Sequence, residues 1–483
     1  MKNLALGLAA PLLVACSPAP AQLGPPLAPL SPPALSSPAP SGSQERVLPP
    51  PTSDDWQPRD EHVQSLALPN GMRVMLVARP GLQAVVAHWV VDAASPPAKK
   101  DAELFRAQAS AAFRPPHEES GTSYAACFPG RCWLSDRGAP EELERLLRDG
   151  ATWLREEPAL QEISKRIEPV AAHYPTTLDA SRGGRRNGRT LVFGYDHPYG
   201  ASKAPTKTFS AEELIQWRRA SFAPQRTVLV LVGDLALDQV KERVSTVFGA
   251  WAPGPRAARE PFARGAVPES HVLLTNAGWF PTDYGTVVAG GPPWGSDDVA
   301  PTLVATRLFQ SALPRGGACQ WASVRPSGSP TDPPVAFYPE GTLVALGNTY
   351  EPHGAIPALR PVLEAIRRAR EAPPADEDVA RAKRLMLADW RRRVAYPEAL
   401  AGFVALSAFA GTPDAAVTLE AKLAAVTPAD VQRVARTYFA ESALGAVLIG
   451  AGDHFGDVQD LGLGGAKLVD TLGRSRAEKI TAR

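Results

Sequence analysis

The sequence predicts two homologous α+β domains of roughly 200 residues each, preceded by an extended Pro-rich tether. Three observations carry this reading. First, one unit occurs twice: residues 208–234 read TFSAEELIQWRRASFAPQRTVLVLVGD, and residues 426–453 read VTPADVQRVARTYFAESALGAVLIGAGD. Each copy has a Ser or Thr at a helix N-cap position (Ser210, Thr427), then an amphipathic helix, then a continuous apolar run ending in Gly-Asp. The acidic residue three positions on makes a capping box in the first copy (Glu213) and a near one in the second (Asp430). Second, the apolar runs Val228–Val232 and Ala446–Ile449 have the pattern of strands buried on both faces. Third, hairpin and helix patterns alternate in both halves, which argues for largely antiparallel sheets with helices.

In chain order, Lys2, the apolar run Leu4–Val14 and Leu13-Val14-Ala15-Cys16 form an export signal, too short to span a bilayer. The quartet resembles a bacterial lipobox, with Cys16 as the lipidated residue. Residues 17–58 contain thirteen prolines and almost no charge before Glu45, a composition for an extended polyproline spacer rather than a core. The first domain is assigned to 59–253. It opens with a hairpin at Val63–Ala78 turning at Pro69-Asn70-Gly71, a strand at Val85–Val91, and helices over 101–113 and 140–156. Cys127 and Cys132 flank Phe128-Pro129-Gly130-Arg131, so a strand–turn–strand would bring them within disulfide reach. Export to an oxidising compartment favours that bridge.

Residues 254–266 read as a linker, 267–457 as the second domain and 458–483 as a C-terminal tail. In the second half, strands are expected near Val272–Leu274, Asp283–Ala289, Val335–Phe337 and Thr342–Leu346. Helices are expected at Val299–Ser311, Ala355–Glu371 and Asp376–Val394, before the repeated unit.

Composition excludes one class of function. Lys+Arg 51 against Asp+Glu 50 leaves no basic field for nucleic acid. The one dense basic run, Arg182–Arg189 (RGGRRNGR), lacks stacking aromatics and reads as a solvated loop. No phosphate-binding loop or G-x-S-x-G elbow occurs.

The order of Leu68–Val77 (LPNGMRVMLV), His197–Gly200 (HPYG), the unit ending in VLVLVGD, and Phe248-Gly249-Ala250-Trp251 resembles the insulinase family of metallopeptidases, which includes pitrilysin and the mitochondrial processing peptidase. The resemblance spans residues 62–455. It implies a clam-like pair of α+β domains of the LuxS and processing-peptidase type.

In active relatives, the resemblance implies zinc held by an inverted H-x-x-E-H motif on a helix of the first domain. Two histidines on one helical face bind the metal, and the glutamate polarises its water. The eight histidines here are His62, His88, His117, His173, His197, His271, His353 and His454, and no two are closer than 24 residues. No helix can present such a pair. Laid on Glu103–Phe113, the motif falls on Arg106, Ala109 and Ser110. The downstream acidic ligand falls near Lys165–His173, best matched by Ala171 or Ala172. His117-Glu118-Glu119 follows Pro115-Pro116, which breaks a helix. The Arg and Tyr that would contact the reacting carbonyl in the second domain fall on Pro314 and Trp321, with Arg315 alongside Pro314.

The expectation is therefore a catalytically inactive insulinase-type homologue with no catalytic or metal residues and no cofactor. It would be exported and lipid-anchored, on the periplasmic face of the outer membrane. It would act as a partner subunit of an active zinc peptidase or as a peptide-binding protein. Two alternatives are an active metallopeptidase with a non-standard metal site and a stand-alone scaffolding lipoprotein.

Overall fold

Strands β1 (Val63–Ala67) and β2 (Arg73–Ala78) form the predicted antiparallel hairpin. Gly71 turns it at a φ of 87°, which glycine adopts without steric cost. The structure, a computed structural model, describes residues 62–94, 102–115, 123–128, 130–172, 180–194, 197, 208–254, 271–277, 283–313, 337–338, 341–351 and 354–470. The proposed lipidation residue Cys16, the tether, and the degenerate positions Pro314 and Trp321 lie outside them.

The first half continues with β3 (Val85–Asp92), α1 (Ala102–Ala112), β4 (Ser123–Phe128) and β5 (Arg131–Gly138). Helices α2 (Leu143–Arg155), α3 (Leu160–Ala172), α4 (Ala180–Phe193) and α5 (Ala211–Ser221) follow, then β6 (Thr227–Gly233) and α6 (Leu237–Phe248). The second half holds β7 (Val272–Asn276), β8 (Asp283–Gly291), α7 (Val299–Gln310), β9 (Phe337–Tyr338) and β10 (Gly341–Glu351). It closes with α8 (Ile356–Glu371), α9 (Asp376–Val394), α10 (Pro397–Ala410), α11 (Ala415–Ala425), α12 (Pro428–Tyr438), β11 (Leu444–Gly450) and β12 (Ala466–Leu468).

The strands make two six-stranded sheets, ordered β1-β2-β6-β3-β5-β4 and β12-β7-β11-β8-β10-β9. The repeated strands β6 and β11 hold equivalent central places. Each pairs parallel to one neighbour (β2, β7) and antiparallel to the other (β3, β8). Both are buried along their whole length. Both predicted capping boxes form, and the second is complete: Asp430 N–H donates to Thr427 Oγ1 at 3.2 Å, while Thr427 N–H donates to Asp430 Oδ2 at 3.0 Å.

Each sheet has two apolar faces, and its own half covers only one. In the first, Val74, Leu76, Ala87, Trp89 and Val91 pack into a core with α1, α2, α5 and α6. The opposite face (Met75, Val77, Val86, Val90, Val228, Val230, Val232) joins a core that also contains Leu274, Val287 and Leu448 of the second sheet. Helix α10, from the second half, packs on β6 and β3. Reciprocally, α4, from the first half, packs on β11 and β8 of the second sheet. Its Leu191 and Phe193 meet Leu273, Tyr284, Val288, Val447 and Ile449.

Two arginines bracket α10. Arg79 donates to the carbonyl of Ala395, just before the helix, at 2.7 Å. Arg73 donates to Ala408 in its last turn at 2.9 Å and stands 5.4 Å from the Phe409 ring. Six strand residues span about 20 Å, which matches the 14 residues of α10 at about 1.5 Å each. Both guanidinium groups meet carbonyls that a helix terminus leaves unbonded. Covered on several sides, α10 is apolar all round, the mark of a buried helix. Among the described residues no single helix is long and apolar enough to cross a membrane.

The structure corrects two sequence expectations. Arg182–Arg189 is no solvated loop but most of α4, with Arg186 and Asn187 buried. Residues 458–470 are more than a tail, because β12 pairs parallel with β7 as a sheet edge. Of the strand expected at Val335–Phe337, residues 335 and 336 lie outside the described residues, and Phe337–Tyr338 pairs with β10. The Cys127–Cys132 disulfide is present, across directly paired positions of β4 and β5 with Cα atoms 4.0 Å apart.

Helix α4 sits close to its borrowed sheet because a glycine faces Tyr284: a methyl at Gly184 would lie 2.0 Å from that ring. Gly184→Ala is expected to lower stability by about 1–3 kcal/mol through overpacking, read by urea denaturation. At Gly456, where a methyl would meet nothing within 4 Å, the same change should shift stability by less than about 0.5 kcal/mol.

Candidate functional site

The residues placed on the zinc motif lie on α1, between two environments. Phe105, Ala109 and Ala112 face the first-half core, where Phe105 makes edge contacts with Phe209 (4.9 Å) and Trp217 (5.0 Å). Glu103, Ala107 and Ser110 form the half-buried stripe of the same helix. Ala109, at the position of the catalytic glutamate, is completely buried. Ser110 Oγ accepts the Cys127 N–H at 2.9 Å and donates to the Cys127 carbonyl at 3.4 Å. That hydroxyl fastens α1 to β4, beside the disulfide.

Helix α3 packs against α1, as the placement of the downstream ligand requires. Arg166 of α3 donates to the Ala112 carbonyl at the end of α1 (3.3 Å). Ala171 and Ala172 fall in the last turn of α3. The two helices on which the motif and the downstream ligand were placed are thus neighbours, and the placed positions carry Arg106, Ala109, Ser110, Ala171 and Ala172.

An ion-pair cluster occupies the N-terminal part of α1 instead. Arg186 of α4, 2 % exposed, donates to Glu103 at 2.8 Å, and Arg189 lies 3.7 Å from the other carboxylate oxygen. Burial by itself would raise the Glu103 carboxyl. Arg186, then Arg189 and Arg106, outweigh it and hold the group below the usual carboxylate range. The cluster ties α1 to the helix that covers the second sheet. Its residues were missed as a site because the glycines of RGGRRNGR and its lack of stacking aromatics were read as the marks of a solvated loop. The signal lay in Gly184 and Gly188, four apart and aligned with Leu191 as one helical face.

The donor set does not fit zinc. A guanidinium has no lone pair to give, alanine offers no donor, and the hydroxyl of Ser110 is already engaged. Three arginines around one carboxylate also oppose a divalent cation. Among the described residues there is no group of three or more His, Cys, Asp or Glu that could hold a metal.

Outside this region, His197 of HPYG stacks on Phe193 at the end of α4 (5.2 Å). Asp234, from the first Gly-Asp, accepts the Gly81 N–H at 2.9 Å, the turn role such an aspartate takes. His454, following the second Gly-Asp, pairs with buried Asp283 at 2.7 Å.

Comparisons with known proteins agree with this geometry. The family described as Peptidase M16 inactive domain matches residues 208–330. A protease from Helicobacter pylori is similar in fold, with a TM-score of 0.64 at 12% identity, covering 82% of this chain and 100% of that one. The first half of the periplasmic protease PqqL from Escherichia coli matches with a TM-score of 0.60 at 12% identity, over 81% of this chain and 92% of that one. Only 48% of complete PqqL is covered. A peptidase M16 inactive domain from Pseudomonas fluorescens matches with a TM-score of 0.57 at 16% identity, over 80% of this chain and 98% of that one. No curated protein matches by sequence. The chain therefore shares the fold of M16 peptidase homologues, and its residues 208–330 match the M16 inactive-domain family.

Restoring the motif should not restore the metal. The triple variant Arg106→His, Ala109→Glu, Ser110→His puts a carboxylate into the core at Ala109. It is expected to lose roughly 2 kcal/mol or more and to retain no stoichiometric zinc after dialysis. Denaturation and elemental analysis read the two effects.

Proposed function

We propose that this protein is a catalytically silent M16 homologue, exported and lipid-anchored, which serves as the non-catalytic partner of an active zinc peptidase. One observation carries the reading: the two-sheet frame is complete, while the helix that should hold zinc presents Arg106, Ala109 and Ser110. Loss of the ligands without loss of the frame fits selection for a surface rather than for a reaction.

The partner role is supported by the size match. The chain corresponds to the first half of PqqL and spans about half of the complete protein, so a second unit of similar size would complete the same arrangement in trans. An envelope location is supported by the periplasmic PqqL neighbour and by the Cys127–Cys132 disulfide, a bond that persists in oxidising compartments. Lipidation at Cys16 and the Pro-rich spacer would hold the folded unit at the periplasmic face of the outer membrane, clear of the lipid. Peptides held between the halves are the ligand class this reading implies.

The test is elemental analysis and peptide-library cleavage on the full chain purified to homogeneity, followed by crosslinking and recovery from its own envelope. The expected result is no stoichiometric zinc, no cleavage by the chain alone, and a crosslinked second chain bearing an intact H-x-x-E-H. One tightly held zinc per chain, or chelator-sensitive cleavage that survives purification, would overturn it.

A further inference from the structure

We infer that the seam between the first sheet and α10 is a pH-sensitive joint, opened when a proton reaches His88. His88 lies on β3 between Val86 and Val90, on the sheet face that shares its core with the second half. It is 3 % exposed. Its direct neighbours are Val230 on β6 and Ser135 on β5, and Trp133 packs at 5.4 Å between ring centres. Among the described residues, His88 Nδ1 and Ser135 Oγ are buried and have no hydrogen-bond partner.

Among the described residues packed around it, no carboxylate without a cation of its own faces His88 to hold an imidazolium. Strand β6 presents Val228, Val230 and Val232 on this face, and β4 presents Tyr124 across from Ser135. Strand β5 adds Trp133 and Arg137, the latter a cation. Along α10 the only titratable residue is Glu398, in its first turn, and it pairs with Arg137 at 3.5 Å. Asp92, farther along the same face of β3, lies 3.9 Å from Arg226. Both carboxylates thus already face arginines.

Burial accordingly pushes the His88 imidazole down to about 3. The unfolded chain binds this proton near pH 6.5. Stability from this group is complete above that value and is lost as pH falls from about 6.5 toward 3. Carboxylates held below their ordinary range, such as Glu103 and Asp430, act lower, below about pH 4.5. The window from pH 7.5 to 5 therefore separates His88 from these carboxylates, and the comparison with His88→Leu separates it from the other histidines.

The test is urea denaturation of the full chain across that window, beside His88→Leu. One proton taken up on unfolding raises the unfolding equilibrium constant about thirty-fold between pH 7.5 and 5, and His88→Leu removes that factor. Equal pH dependence in both proteins overturns the inference. Hydrogen exchange on the unmodified chain decides the matter even if the variant does not fold. Val86–Val90, Val228–Val232 and α10 should lose protection first at pH 5, after correction for intrinsic rates. First loss in any other element overturns it.

Discussion

A sheet whose central strand is buried on both faces needs two covers, and this constraint organises the molecule. Strands β6 and β11 are apolar at nearly every position, so neither sheet could leave a face in water. Each half provides one layer of helices for itself and one helix for the other. Fully burying a large apolar side chain contributes roughly 1.5–3 kcal/mol. Leu400, Phe403, Val404 and Leu406 of α10 are all buried, so the borrowed helix alone contributes on the order of 6–12 kcal/mol by the same measure. Part of that surface lies against β6 and β3, and part against Trp294 and Trp390 of its own half, so separating the halves would expose the former. The polar groups of the loaned helix are satisfied as well: Ser407 donates to the Phe403 carbonyl and accepts the Trp294 indole N–H.

On the proposed reading, the same architecture explains how catalysis could be lost without loss of fold. On the placement proposed from the sequence, Arg106 and Ser110 lie along one side of α1, while the helix is held by Phe105, Ala109 and Ala112 on the other. The Glu103–Arg186 pair occupies the same helix and joins it to α4. Removing either partner of a buried pair is costly because the other charge is left behind, so the cluster holds α1 in place by a different chemistry.

Much of the fold was legible because its signals are local. The capping boxes at Ser210 and Thr427, the Asn70-Gly71 turn and the unbroken apolar strands each act within a few residues. The exchanged helices were not legible, for opposite reasons. Helix α10 is so uniformly apolar that it has no amphipathic period to detect. Helix α4 hides its packing face in glycines, whose role appears only once Tyr284 stands against Gly184. The site was legible mainly as chemistry that histidine spacing forbids. That Ala109 faces the core, and that Arg186 comes from a segment read as loop, depended on contacts between residues far apart in sequence.

The central claim is that the exchanged helices fuse the two halves into one cooperative body. Differential scanning calorimetry of the full chain tests it most directly, through the agreement of calorimetric and van't Hoff enthalpies that marks all-or-none unfolding. The account predicts a single transition in which the two enthalpies agree. Two separable transitions, each accounting for about half of the total enthalpy, would show that the halves hold themselves together independently and would contradict it.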